Sequence, residues 1–340
     1  MTPTAEDIKQ LQKALEKNPT NTDIMNALAL GYFENPSLVK DNEDLKLLER
    51  AYKTKKTIKS THNLAWYYFL EFGATLEEAI KIQQECISMN PKSFYPYFLY
   101  GCMLLQNNQY SEAIKYLEIA YSKEQKRDIA NDLGIAYAKQ GIFTSAKNYL
   151  TQAVNQEDIE NKSKYNLALV QIQLREKKQA LAIAEELKQI IIDSSDKFHD
   201  IDSFEVAYLY YLLDDDDTAY SCCRMSDWNS YDLFSWECVS YLIYKNNTEV
   251  FKKLVASELE KKKTWIKANK DNDDYWEDDT EEEKQQELAE RESEITRLTN
   301  LEAEFAVDKP NIDINDRYLL ESCGCLLFDC PRHDNLKDDE

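Results

Sequence analysis

"YPYFLYGCMLLQNNQYSEAIKYLEIAY", Tyr95 to Tyr121, and "IANDLGIAYAKQGIFTSAKNYLTQAV", Ile129 to Val154, superimpose without a gap. Gly101 falls on Gly134, Tyr110 on Phe143, Ala113 on Ala146, Leu117 on Leu150 and Ala120 on Ala153, every offset being 33 residues. One offset shared by five positions predicts a repeated structural unit; a non-repeating helical bundle imposes no fixed period.

The period continues in both directions. Ala146 maps onto Ala180 and Ala113 back onto Ala79, each at an offset of 34, and the earlier unit closes on Pro91 in "ISMNP". Upstream, "ALALGYFENP" carries Leu30-Gly31 ahead of "LKLLERAYK". Downstream, Leu167-Ala168 stands where Leu133-Gly134 stood, and "FEVAYLYYLLDDDDTAYSCC" places Ala207 and Ala219 at the corresponding spacing. The small residues have a packing reason. Gly101 and Gly134 let a second helix approach the first, Ala113 and Ala146 answer from that second helix, and large residues fill the gaps. A single hairpin cannot bury its apolar face alone, so successive hairpins stack.

Leu-Gly in a first helix, an aromatic before the second, then Ala-x3-Leu-x2-Ala: this sequence resembles the tetratricopeptide repeat family over residues 24–224. The resemblance implies an all-α, right-handed superhelical solenoid of about six antiparallel helix pairs. The expected organisation is a capping helix within 1–23, the array at 24–224 and further helices extending it at 225–270. An acidic linker at 271–283, a helical C-terminal cap at 284–308 and a Cys/His tail at 309–340 complete it.

Composition agrees. Six glycines and seven prolines in 340 residues are too few for a turn-rich β fold, and 43% hydrophobic content fills a core. A formal charge of −22 disfavours nucleic acid and anionic membrane surfaces as partners. "MTPTAEDIKQLQKALEK" has no basic segment followed by an apolar one, and no apolar run reaches the ~18 residues of a membrane span. The expected location is the cytoplasm, where Cys86, Cys102, Cys222, Cys223 and Cys238 serve as small core hydrophobes.

The resemblance also implies that the first helix of each pair lines a concave groove. The register assigns to it Leu28 and Tyr32, then Leu64, Tyr68 and Glu71, then Tyr95, Phe98, Cys102 and Leu105. Asp128, Asn131, Ile135 and Ala138 follow, and then Tyr165, Leu169 and Ile172. Some relatives grip a partner's terminal carboxylate with Lys, Arg and Asn at these places. Here Asn131 alone matches in type, so the expected ligand is an apolar peptide or helix of another protein. Tyr32, Leu64, Tyr68, Tyr95, Phe98, Leu105, Asn131 and Tyr165 are the candidate partner-binding residues. Any one of these aromatics can instead pack between neighbouring repeats.

Beyond the array, "YDLFSWECVSYLIYK" predicts a buried helix, and Asn247 caps an amphipathic one. "DNDDYWEDDTEEE", Asp271 to Glu283, lacks the central glycine of a calcium loop and reads as a solvated linker. Thr280 then caps a long helix whose Leu288, Ile295, Leu298 and Phe305 cover the end of the stack.

Near the C-terminus, Cys323, Cys325, Cys330 and His333 spell C-x-C-x4-C-x2-H. Three thiolates and an imidazole form a closed structural zinc set, with Gly324 permitting the turn between the first two. Leu326, Leu327 and Phe328 would anchor such a knuckle to the helical body. Unliganded cysteines, or a disulfide to Cys330, are the alternatives. Catalysis is not expected: G-x-G-x-x-G, G-K-[ST], G-x-S-x-G and H-E-x-x-H are all absent, and 63 carboxylates nominate no pair. The sequence thus reads as a protein-binding scaffold or adaptor. The alternative is an acidic stoichiometric inhibitor, such as an immunity protein, that blocks a basic partner.

Overall fold

The computed structural model describes residues 3–39, 42–70, 75–156, 161–193, 200–225, 236–272, 275–276, 280–320 and 326–329. Among the described residues there are sixteen α-helices, two short 3-10 turns and no strand. The helices fall into two compact units. The first comprises residues 1–170 with 318–340, and the second 171–317.

In the first unit, α1 (Ala5–Lys17) precedes four hairpins: α2 (Thr22–Phe33) with α3 (Glu43–Thr54), and α4 (Ile58–Leu70) with α5 (Leu76–Ser88). Then come α6 (Tyr95–Gln106) with α7 (Tyr110–Lys123), and α8 (Arg127–Lys139) with α9 (Phe143–Val154). Most of α10 (Asn161–Gln173) closes this unit. The first helices α2, α4, α6 and α8 also touch one another in succession, which makes them one continuous face.

The physical cause of the period is visible at its small residues. A Cβ on Gly101 would stand 2.6 Å from the Leu117 side chain of the partner helix, and one on Gly134 2.6 Å from that of Leu150. Real carbon atoms do not approach so closely, so hydrogen at these two places sets the distance between helices within each pair. Ala79, Ala113, Ala146 and Ala180 are fully buried on the opposing helices. The turns repeat as well. Asn108, Gly141 and Arg175 are left-handed, with φ of 57°, 75° and 61°, and they recur at the repeat spacing. Each ends a first helix by donating its N–H three residues back, while the next N–H reaches five back, as in Gln109 to Leu104, Ile142 to Tyr137 and Glu176 to Gln171.

The second unit contains α11 (Lys177–Asp193), α12 (Ser203–Leu212), α13 (Asp216–Cys223), α14 (Glu237–Asn246), α15 (Thr248–Asn269) and α16 (Glu281–Val307). Asn247 caps α15 through the Val250 N–H, and Thr280 with Glu283 forms a capping box on α16. On α16, Leu288, Leu298, Leu301 and Phe305 are buried. Phe305 meets Tyr241, Tyr244 and Phe251 with ring centroids 5.6–5.9 Å apart. The segment expected to be a solvated linker holds an anchor: Trp276 is buried, its indole N–H donating to the Asn269 carbonyl at 2.6 Å and its ring meeting Trp265. Three carboxylates of the acidic run 214–217 are likewise engaged. Asp214 pairs with Lys177, Asp215 caps α13, and Asp216 pairs with Lys245 and Lys309.

Cys86, Cys102, Cys222, Cys223 and Cys238 are all buried. Burial raises the thiols of Cys222 to about 11 and Cys238 to about 12, so both stay protonated near neutrality. No helix among the described residues is long and apolar enough to cross a membrane.

Candidate functional site

The first-helix face of the first unit carries a segment from the far end of the same chain. Two side-chain amides grip its backbone. Asn63 on α4 accepts the Phe328 N–H at 2.9 Å and donates Nδ2–H to the Phe328 carbonyl at 3.3 Å. Asn166 on α10 does the same to Leu319, accepting its N–H at 2.8 Å and donating to its carbonyl at 2.7 Å. A carboxamide that matches both polar groups of one residue reproduces what a neighbouring β-strand offers. It satisfies a backbone without reading its side chain.

Each amide is itself held. Asn63 Nδ2 also donates to Asn26 Oδ1 at 3.4 Å. Asn166 Nδ2 donates to Asn131 Oδ1 at 3.0 Å, and Asn131 Nδ2 reaches the Leu319 carbonyl at 3.3 Å. Ser163 donates its hydroxyl to Asn131 Oδ1 at 3.1 Å, and Asn131 Nδ2 also reaches Asp132 at 3.1 Å. Asn26, Asn63, Asn131 and Asn166 are all at most 1% exposed.

Beside Asn63, the fully buried His62 lies 2.9 Å through Nε2 from the Leu326 carbonyl. Its tautomer follows from its other neighbour. Gln83 Nε2 donates to the Pro96 carbonyl at 2.8 Å and stands 3.2 Å from His62 Nδ1. Nδ1 therefore accepts, Nε2 carries the hydrogen, and the ring donates it to Leu326. Burial depresses the imidazole to about 4 against the upward pull of both hydrogen bonds, so it is neutral near pH 7.

The segment's side chains are held as firmly. Leu326, Leu327 and Phe328 are buried, and the Phe328 ring meets His62 edge-on at 4.8 Å and Tyr95 at 6.4 Å. Asp329, left-handed at φ 61°, turns the chain and places its carboxylate 2.7 Å from the Lys59 ammonium. Burial alone would lower the Lys59 pKa. Asp329, with Asp23 at 3.4 Å, outweighs that and raises it.

The sequence-derived residues take different positions around this arrangement. Tyr95 and Asn131 touch the docked segment. Leu64, Phe98, Leu105 and Tyr165 are buried at 3% exposure or less. Tyr32 is buried with its hydroxyl accepting from Gln12 on α1, and Tyr68 donates to Glu49 on α3 at 2.9 Å. Glu71 and the four proposed zinc ligands Cys323, Cys325, Cys330 and His333 lie outside the described residues. Among the described residues no cluster of metal-ligating side chains occurs.

Stacked helix hairpins joined through small residues at a repeating spacing define a helical-repeat fold. Residues 83–115 match the tetratricopeptide repeat family model. No curated protein matches the sequence. A tetratricopeptide repeat protein from Parabacteroides merdae is 14% identical over 70% of this chain and 91% of its own, with a TM-score of 0.50. The structure of the APC/C hetero-tetramer Cut9–Hcn1 is 14% identical over 68% of this chain and 45% of that one, with a TM-score of 0.51. At this identity the likeness is one of fold.

Proposed function

We propose that this protein is an interaction scaffold that holds an extended segment of another protein on the first-helix face of residues 1–170. The observation that carries the reading is the pair of amides, Asn63 and Asn166, each matched to both backbone groups of one residue. A face already shaped to satisfy an extended backbone removes the main penalty for binding one, which is desolvation of unpaired amides. The buried positions of Leu326, Leu327 and Phe328 favour aliphatic and aromatic side chains at that end.

The test is selection of displayed peptides on the full chain, both as wild type and as the Phe328→Ala variant. Selected peptides should be rich in aliphatic and aromatic residues, resist high salt, and lose at least tenfold in affinity on Asn63→Ala or Asn166→Ala. Recovery of no peptide by either chain would refute the reading, as would binding indifferent to both asparagines. Salt-labile capture of basic sequences alone would move the assignment to an acidic inhibitor.

A further inference from the structure

The segment seated on the face belongs to the chain itself, and its side chains are read at consecutive positions. Leu326 and Leu327 are 6% and 0% exposed, Phe328 lies edge-on against His62 and near Tyr95, and Asp329 meets Lys59. Lys59 is 13% exposed, and its other partner, Asp23, is the more distant at 3.4 Å and 77% exposed. The site thus presents a mostly buried cation where the segment supplies its carboxylate. The hydrogen bonds at this end from Asn63 and His62 address backbone only. Any segment with two aliphatics, an aromatic and an acid in that order meets the same partners.

The helical packing beneath has contacts of its own. Gly101 against Leu117, Gly134 against Leu150, and the buried alanines join helix to helix. The docked residues are held instead by hydrogen bonds, one half-exposed ion pair and three apolar side chains.

Resting on the scaffold reading above, we propose that Lys59, His62, Asn63 and Tyr95 form a recognition site for an aliphatic–aliphatic–aromatic–acidic segment of a partner protein. The chain's own Leu326–Asp329 is the competitor that the partner displaces. Because the competitor is tethered, its effective concentration is on the order of 1 mM. With an intrinsic Kd of about 10 µM for the tail itself, a partner peptide then binds the intact chain about 100-fold more weakly than a chain whose tail cannot dock.

The probe is a labelled synthetic peptide of residues 318–331 with serine in place of its three cysteines. It is titrated into the full chain and into the full-length Phe328→Ala variant, while hydrogen exchange is followed in the unlabelled wild type. Expected results are binding about 100-fold tighter to the variant, and loss of it on adding Asn63→Ala. Saturating peptide should also strip amide protection from residues 326–329 of the wild type and leave α8 unchanged.

Equal affinity for both chains with unchanged protection would overturn the competition, while the scaffold reading would stand or fall on the display selection. No binding to either chain, with 326–329 exchanging only at the rate of α8, would make the tail a fixed part of the fold and overturn the proposal. Concentration-dependent dimerisation coupled to tail exchange would assign the site to a second copy instead of a partner protein.

Discussion

Replacing Asn63 by alanine removes two hydrogen bonds to Phe328 and leaves its N–H facing a methyl group. Phe328 is fully buried, so that N–H has no immediate access to water. Each lost bond is worth about 1 kcal/mol net, and a stranded buried donor costs roughly 1–3 kcal/mol. Allowing for relaxation, tail docking should weaken by about 2–4 kcal/mol, a 30- to 1,000-fold rise in the opening equilibrium constant, which takes the tail from about 1% open to roughly 20–90% open. The assay is hydrogen exchange resolved to residues 326–329 by fragmentation mass spectrometry, with α8 amides as the internal reference. Exchange of the tail should accelerate roughly 20- to 90-fold while α8 is unaffected. Asn63→Asp is the sharper control. It preserves shape and acceptor, yet it sets a carboxylate oxygen against the Phe328 carbonyl, and its effect should equal or exceed that of alanine. A change below threefold for Asn63→Ala would refute the idea that this amide holds the segment.

The remaining expectations concern packing, turns, protons and metal. Gly101→Ala forces a methyl to within 2.6 Å of Leu117; overpacking at ~1–3 kcal/mol exceeds the ~1 kcal/mol helix-propensity gain, so the urea midpoint should fall. Arg175→Gly relieves a left-handed arginine at φ 61° and should stabilise by about 0.5–1 kcal/mol, read as a higher melting temperature. Docked His62 takes up its proton only near pH 4, whereas a released imidazole does so near 6.5. Docking is therefore fully supported above 6.5 and weakens by up to about 3 kcal/mol as pH falls to 4; the protection factor of 326–329, taken relative to the intrinsic exchange rate at each pH, should fall over that range and His62→Gln should flatten the profile. A Cys323, Cys325, Cys330 and His333 site would bring one zinc per chain, measured by elemental mass spectrometry and lost on Cys330→Ser; absence of zinc from chain purified with the metal present would dismiss it.

The array was legible because its helices approach too closely for ordinary residues. Gly101, Gly134 and the alanines opposite them are dictated by contact distance, and a repeated distance leaves a repeated letter. The left-handed turns left a weaker mark, since Asn108, Gly141 and Arg175 share a conformation but no identity. The grip on the tail left none. Asn63, Asn166 and His62 address main-chain groups, which every residue has, so no pattern in the tail announces its docking site. Reading Leu326, Leu327 and Phe328 as an apolar anchor was possible from their hydropathy, whereas the place they anchor to depends on contacts 264 residues away. Tyr32 and Tyr68 illustrate the limit of register: both lie on first helices, yet their hydroxyls turn to α1 and α3.

That separation has a consequence during synthesis. At about 5–20 residues per second, roughly 13–50 seconds pass between the emergence of α4 and that of the segment that covers it. Local hairpins fold well within that interval. On every ribosome the face exists first as an uncovered surface, open to whatever partner or chaperone is at hand, and only later meets the occupant encoded downstream.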